Sequence, residues 1–216
     1  MSWRPKKQTL LALLPPALVR VRGAAHAGTR YLSFDDGPHP QHTPDLLDLL
    51  AQHDIKATFF LVGSEAERYP ALVERMVADG HRIGNHSHTH PQFGALDIAA
   101  QLDEIDRCDR VLTRFDGRVR HPFRPPRGEL SLALLWQCAR RRQGIVYWSR
   151  DSLDYRSGEA PAALAERLRT APLAAGDILL MHDDAACAAA ILRALLPEWL
   201  AAGFRFDRLP ALDERA

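Results

Sequence analysis

Cysteine is scarce. The 216 residues hold three, Cys108, Cys138 and Cys187, too scattered for a disulfide framework and never in a Cys-x-x-Cys pair that would hold zinc. They are expected to be buried, unreactive thiols. An excess of charge of one sign is missing too. Lys and Arg total 28 against 27 Asp and Glu, a net +1, which argues against a general nucleic-acid binder. The basic run ARRRQG, Ala139 to Gly144, reads as the solvated end of a helix, where the helix dipole favours cations. No Gly-x-Gly-x-x-Gly follows the first expected strand, so a dinucleotide fold has no local support. His-Glu-x-x-His is absent, which removes that metalloprotease pattern.

Long apolar runs are also lacking. The N-terminus is basic (RPKKQ), then apolar (TLLALLPPALV), then small-x-small (AAHAG), an order resembling a secretory signal. Pro15 and Pro16 interrupt the run, Arg20 and Arg22 follow it, and it is too short to span a bilayer as a helix. The expectation is a surface or membrane-peripheral segment over residues 1–28. A cytoplasmic or membrane-peripheral location is favoured, and a cleaved signal with a periplasmic or secreted location stays open.

What is present is alternation. TRYLSF, KATFFLVG, HRIGN, HPFRP, GIVYWS, GDILLMH and FRFDRL read as strands. Between them lie helical patterns: TPDLLDLLAQHD with Thr43 as cap and Pro44 in the first turn, SEAERYPALVERMVADG stopped by Gly80, and the long DIAAQLDEIDRCDRVLTRF. Strand–helix units repeated about seven times, with no dividing linker, imply a parallel sheet with helices outside it. A closed or nearly closed α/β barrel is expected, as one domain over residues 29–216. Trp136, Trp148 and Trp199 are expected in the core.

In such a barrel functional groups gather where strands end. Asp35 and Asp36 follow the first strand and His86, His88 and His90 the third. Arg124 follows the fourth, Asp151 and Asp154 the fifth, and His182, Asp183 and Asp184 the sixth. His86 and His90 are four apart, a spacing that on one helical turn can hold a divalent cation. His88 would point elsewhere. A carboxylate could be the third ligand. Of two adjacent aspartates at a strand end, one can bind the metal while the other faces an activated water and takes its proton.

SFDDGPHP, NHSHTHP, FRPPRG, YWSRDSLDY and ILLMHD together resemble the five ordered motifs of the polysaccharide deacetylases, the NodB-homology domain of carbohydrate esterase family 4. The resemblance runs from about Tyr31 to Leu209. It implies a deformed (β/α)7-type barrel and a metal-dependent N-deacetylase. In it Asp35 resembles the catalytic base, and Asp36, His86 and His90 the metal ligands. Arg124 resembles the arginine that orients the base. Asp151 resembles the carboxylate paired with the catalytic acid, His182, and Leu180 the lining of the acetyl-methyl pocket.

Two departures concern substrate. Arg127 stands where the family carries an aromatic, and Tyr155 where it carries Trp. The implied substrate is an N-acetylglucosamine-containing glycan, of chitooligosaccharide or peptidoglycan type. Deacylation of a lipid-linked or anionic sugar and a non-catalytic carbohydrate-binding relative are the alternatives. Zinc is the first expectation for the metal, with cobalt, nickel or manganese compatible. The partners expected are a glycan, no nucleic acid and no membrane span, with the chain a monomer.

Overall fold

The computed structural model describes residues 7–156 and 158–210, so the basic Arg4–Lys6 stretch and residues 211–216 lie outside it. A short helix, α1 (Lys7–Leu11), leads to strand β1 (Val19–Arg20). Then come β2 (Thr29–Asp35), α2 (His42–Gln52), β3 (Thr58–Leu61), α3 (Gly63–Arg68), α4 (Pro70–Ala78) and β4 (Arg82–Asn85). The long α5 (Ile98–Asp116) and α6 (Leu132–Arg141) precede β5 (Ile145–Val146) and β6 (Arg150–Asp151). Next are α7 (Pro161–Thr170), β7 (Ile178–His182), α8 (Cys187–Ala201) and β8 (Arg205–Phe206).

The strands pair in parallel in the order β4-β3-β2-β7-β6. Phe123 bridges Asn85 on one side and Ile145 on the other, and so carries the sheet from β4 to β5. Because β5 and β6 belong to one extended stretch, whose far end pairs with β7, the sheet closes on itself. The fold is a deformed (β/α)7-type barrel.

Strand alternation sorts the side chains. Leu32 and Phe34 of β2, with Leu179 and Met181 of β7, face outward into the main core under α2, α7 and α8. Each such fully buried side chain contributes about 1.5–3 kcal/mol. The barrel interior holds a smaller apolar layer: Tyr31, Phe60, Val146, Ile178 and Leu209. Above that layer the β2 and β7 register runs Ser33 beside Leu180 and Asp35 beside His182. Thus the apolar floor gives way to polar groups at the strand C-termini.

Some expectations need correction. The helix expected from Ser64 to Gly80 is two helices. Proline at 70 disfavours helical geometry for the residue before it, and Tyr69 sits at φ −127°, ψ 57° between them. Thr43 does not cap α2; its hydroxyl donates to Asp183 Oδ2 (2.7 Å). Trp199 is buried, but Trp136 is 63% exposed on α6, because Leu134 and Cys138 take that helix's buried face. Among the described residues no helix is long and apolar enough to cross a membrane.

The chain before Thr29 takes part in the barrel. Val19 and Arg20 pair with Ile145 and Val146, and Val19 and Val21 are buried in a second core with Phe123, Ile145 and Tyr147. Val19→Ala is therefore expected to lower unfolding free energy by about 1–3 kcal/mol in urea denaturation. A peripheral segment would give no change.

Candidate active site

Asp36 sits at φ 76°, left-handed geometry that Asp tolerates better than most residues. This turns it out of the strand's alternation. Asp35 stays inside the barrel, and Asp36 reaches the histidines. Asp36 Oδ1 lies 3.3 Å from both His86 Nε2 and His90 Nε2. One ligand atom from each of the three residues falls within 4.8 Å of the other two.

His86 and His90 meet, but not on a helical turn. Ser87 and His90 have positive φ, and side chains fold the segment as a loop. Asn85 Oδ1 accepts from Ser87 N–H (2.9 Å), and Ser87 Oγ accepts from His90 N–H (3.0 Å). From α5, Glu104 Oε2 takes the N–H groups of His88 (3.0 Å) and Thr89 (2.7 Å). Local side-chain acceptors replace the helical hydrogen bonds. His88 faces away, 4.0 Å from Glu67.

The trio suits a divalent cation. His86 Nδ1 is 2.8 Å from the Arg124 carbonyl, which can only accept, so Nδ1 carries the proton and Nε2 offers a lone pair. Asp36 Oδ1 then faces imidazole lone pairs and is a buried oxygen with no hydrogen-bond partner. Burial opposes charge on Asp36, but with the imidazoles protonated His86, then His90 and His182, hold its carboxyl down at about 2; with them neutral, a cation would take that part. Burial, with His86 beside it, lowers the His90 pKa. An ionised carboxylate and neutral imidazoles are the forms that bind metal.

Beside the trio is a buried ion pair. Asp35 is 3% and Arg124 0% exposed. Arg124 Nη1 donates to Asp35 Oδ1 (2.6 Å) and to Ser33 Oγ (3.0 Å). Nε reaches the carbonyl of Val146 (3.3 Å) and Nη2 that of Tyr147 (3.1 Å), and the guanidinium lies 4.0 Å over the Phe60 ring. Asp35 Oδ2 is left 3.7 Å from His86 Nε2, at the metal-facing side.

The partner of His182 is Asp154, not the expected Asp151. Asp154 Oδ1 lies 2.8 Å from His182 Nδ1, and Oδ2 accepts the His182 main-chain N–H at 2.8 Å. Asp151 ends β6 level with Leu180, two residues short of His182. Its Oδ1 accepts from Leu153 N–H (2.9 Å) and its Oδ2 lies 3.3 Å from the Tyr155 hydroxyl. The turn between them, with Leu153 at φ 61°, lifts Asp154 to the histidine. Burial presses the His182 pKa down, but Asp154, then Asp35, outweigh it and raise it to about 9.

The three expected substrate contacts ring this centre. Leu180 lies inside the barrel, one strand period below His182. Tyr155 is 55% exposed, its ring edge-on to His182 with centroids 5.2 Å apart. Arg127, exposed at φ 54°, crowns the Arg124–Gly128 loop.

Asp183 was not expected in a role. Its buried carboxyl accepts from Thr43 and pins the Asp36–His39 loop, and a Cβ on Gly37 would fall 2.1 Å from its Oδ1. Only glycine fits so close.

A family model described as polysaccharide deacetylase matches residues 22–143, more than half of the 216-residue chain. The chain belongs to the polysaccharide deacetylase family. A chitooligosaccharide deacetylase of Sinorhizobium fredii is 39% identical over 165 residues, 75% of this chain and 75% of that one. A peptidoglycan-N-acetylglucosamine deacetylase of Bacillus cereus is 33% identical over 185 residues, 84% of this chain and 66% of its own length. Among solved structures of the family, the Bc1960 peptidoglycan N-acetylglucosamine deacetylase superposes with a TM-score of 0.83 at 30% identity, covering 91% of this chain and 92% of that one.

Asp154→Asn removes the strongest upward influence on His182 and leaves burial acting the other way. The imidazole pKa, followed by NMR titration, should fall. Because the folded-state pKa is the raised one, stabilisation by the charged pair is full below about pH 6.5 and lost as pH rises through about 9. The stability gap between wild type and Asp154→Asn should shrink over that window. An unmoved pKa would contradict the pairing.

Proposed function

We propose that the chain removes N-acetyl groups from an N-acetylglucosamine-containing oligo- or polysaccharide of chitooligosaccharide or peptidoglycan type. Zinc, our first choice of metal, would be held by Asp36, His86 and His90. The observation that carries this reading is a buried ion pair and a partly buried acid–base pair side by side at the metal trio. Asp35–Arg124 ends β2 and His182–Asp154 ends β7, with Asp35 and His182 in register. A glycan-binding module has no use for a positioned proton acceptor and a positioned proton donor together.

A divalent cation bound there supplies a Lewis acid that polarises the amide carbonyl and makes water nucleophilic near neutral pH. The chain's own residues do the rest. Asp35, held by Arg124 with one oxygen toward the site, takes a proton as the water oxygen bonds to the acetyl carbon. The carbonyl π pair moves onto oxygen, where the Arg127 main-chain N–H is the proposed donor. When the C–N bond breaks, the amine nitrogen takes the His182 Nε2 proton, and Asp154 steadies the imidazolium beforehand. Acetic acid and the free amine leave, and the acid gives its own proton to solvent to become acetate. The proton on Asp35 returns to His182 through solvent and resets both groups. Leu180 would line the acetyl-methyl pocket and Tyr155 the sugar wall. Every named group comes from one chain, so a monomer suffices.

The exposed Arg127 favours a second reading of the substrate, in which the sugar carries an anionic substituent such as a phosphate.

Acetate release from N-acetylchitooligosaccharides should vanish with chelator and return with zinc. Asp35→Asn should cut kcat by about 10²–10⁴-fold while zinc content is kept; activity within about twofold of wild type would remove Asp35 as base. Asp154→Asn should cost far more activity than Asp151→Asn, and the reverse order would restore Asp151 as the histidine's partner. Arg127→Ala should raise KM for anionic sugars and leave neutral ones unchanged. Equal effects on both would end the anionic reading.

A further inference from the structure

At the opposite end of the barrel, where strands begin, a cavity of about 790 Å³ opens between α6, the Arg118–Pro122 segment and the chain from Pro15 to Leu18. That volume is within the range of small-molecule sites. Arg82, Arg118, Arg120 and Arg142 line it, and no Asp or Glu does among the described residues. For a chain of net charge +1 this is a marked local excess. Between the arginines the wall is apolar, with Leu18, Val119 and Cys138.

Among the described residues, internal contacts leave much of the charge of Arg118, Arg120 and Arg142 unmatched. Arg118 lies 3.7 Å from Asp116, but that carboxylate also lies 3.0 Å from His121 Nε2. Among the described residues, Arg120 donates to a neutral acceptor, Gln143 Oε1 (3.3 Å). The ARRRQG run also divides. Arg141 turns to Asp106, whereas Arg142, in left-handed geometry just past the end of α6, lines the cavity. Arg208 lines an adjoining hollow that shares Arg82 and Arg118 and also holds Asp116.

Guanidinium groups lining a partly apolar hollow suit phosphate, which accepts forked hydrogen bonds from arginine. We propose that this cavity binds a phosphate-bearing ligand with an apolar portion. Arg118, Arg120 and Arg142 take the phosphate, and the Leu18–Val119–Cys138 wall takes the apolar part. The site is remote from the candidate active site, being set at Arg82 where β4 starts, whereas His86 follows where β4 ends. It does not depend on the deacetylase reading.

The test uses inorganic pyrophosphate as a soluble probe, followed by calorimetry. Vesicles containing about 30% phosphatidylglycerol, followed by co-sedimentation, represent the lipid source of the same group. Three proteins are compared: wild type, Arg118→Gln/Arg142→Gln, and His86→Ala, which separates this cavity from anion capture at the metal trio. Both replaced arginines are exposed, and unchanged thermal unfolding verifies the fold. Val119→Glu, which sets a carboxylate at the mouth, is an independent second variant. Saturable binding to either probe should weaken at least tenfold in the double-arginine and Val119→Glu variants, persist in His86→Ala, and fall with added salt. Pyrophosphate binding alone assigns a soluble phosphate ligand, and vesicle binding alone a lipid headgroup. Binding to neither probe, binding that survives both cavity variants, or binding lost only in His86→Ala would overturn the proposal.

Discussion

The contact on which the site depends is the buried ion pair between Arg124 and Asp35. A guanidinium with no solvent exposure costs several kcal/mol to desolvate unless its charge and donors are met. Here four of its five N–H donors are: two go to Asp35 and Ser33 and two to main-chain carbonyls, while the Phe60 ring lies beneath. The same residue acts a second time through its backbone. Its carbonyl accepts a hydrogen bond from the His86 Nδ1–H, and this fixes which imidazole nitrogen faces Asp36. One residue therefore aims the proton acceptor and sets the tautomer of a metal ligand.

Around that pair the barrel divides its labour. Apolar side chains fill the floor, and polar ones take over as the strands end. The loops beyond are held largely by side-chain acceptors and not by regular secondary structure. Glu104 reaches from α5 to hold the His88–Thr89 turn, and Asp183 clamps the Asp36–His39 turn through Thr43. Asp154 holds both the side chain and the main chain of His182. Each brace reaches its loop across a distance of many residues, so the site's geometry depends on the whole barrel being closed.

This explains what could be read from the sequence. Strand–helix alternation made the barrel legible, and chemistry-bearing residues at strand ends marked the face that matters. Asp36, His86 and His90 do converge, and Arg124 does meet Asp35. What failed was local geometry. The four-residue spacing of the histidines suggested a helical turn, but Asn85, Ser87 and Glu104 offer acceptors that make a loop. Asp151 and Asp154 are equally acidic in one dimension; only the register of β6 on β7 shows that the first stops two residues short of His182. β1 went unread because two paired residues carry too little periodicity to signal a strand.

The most direct test is a double-mutant cycle on Arg124→Met and Asp35→Asn, with urea unfolding and kcat/KM measured on all four proteins. Arg124→Met alone should cost about 3–5 kcal/mol, because it strands a buried carboxylate. Adding Asp35→Asn should return more than about 1 kcal/mol of that loss, and the double variant should be no less active than Asp35→Asn alone. Additive losses in both stability and activity would show that the two residues act independently, and the account of the site built on their pairing would be wrong.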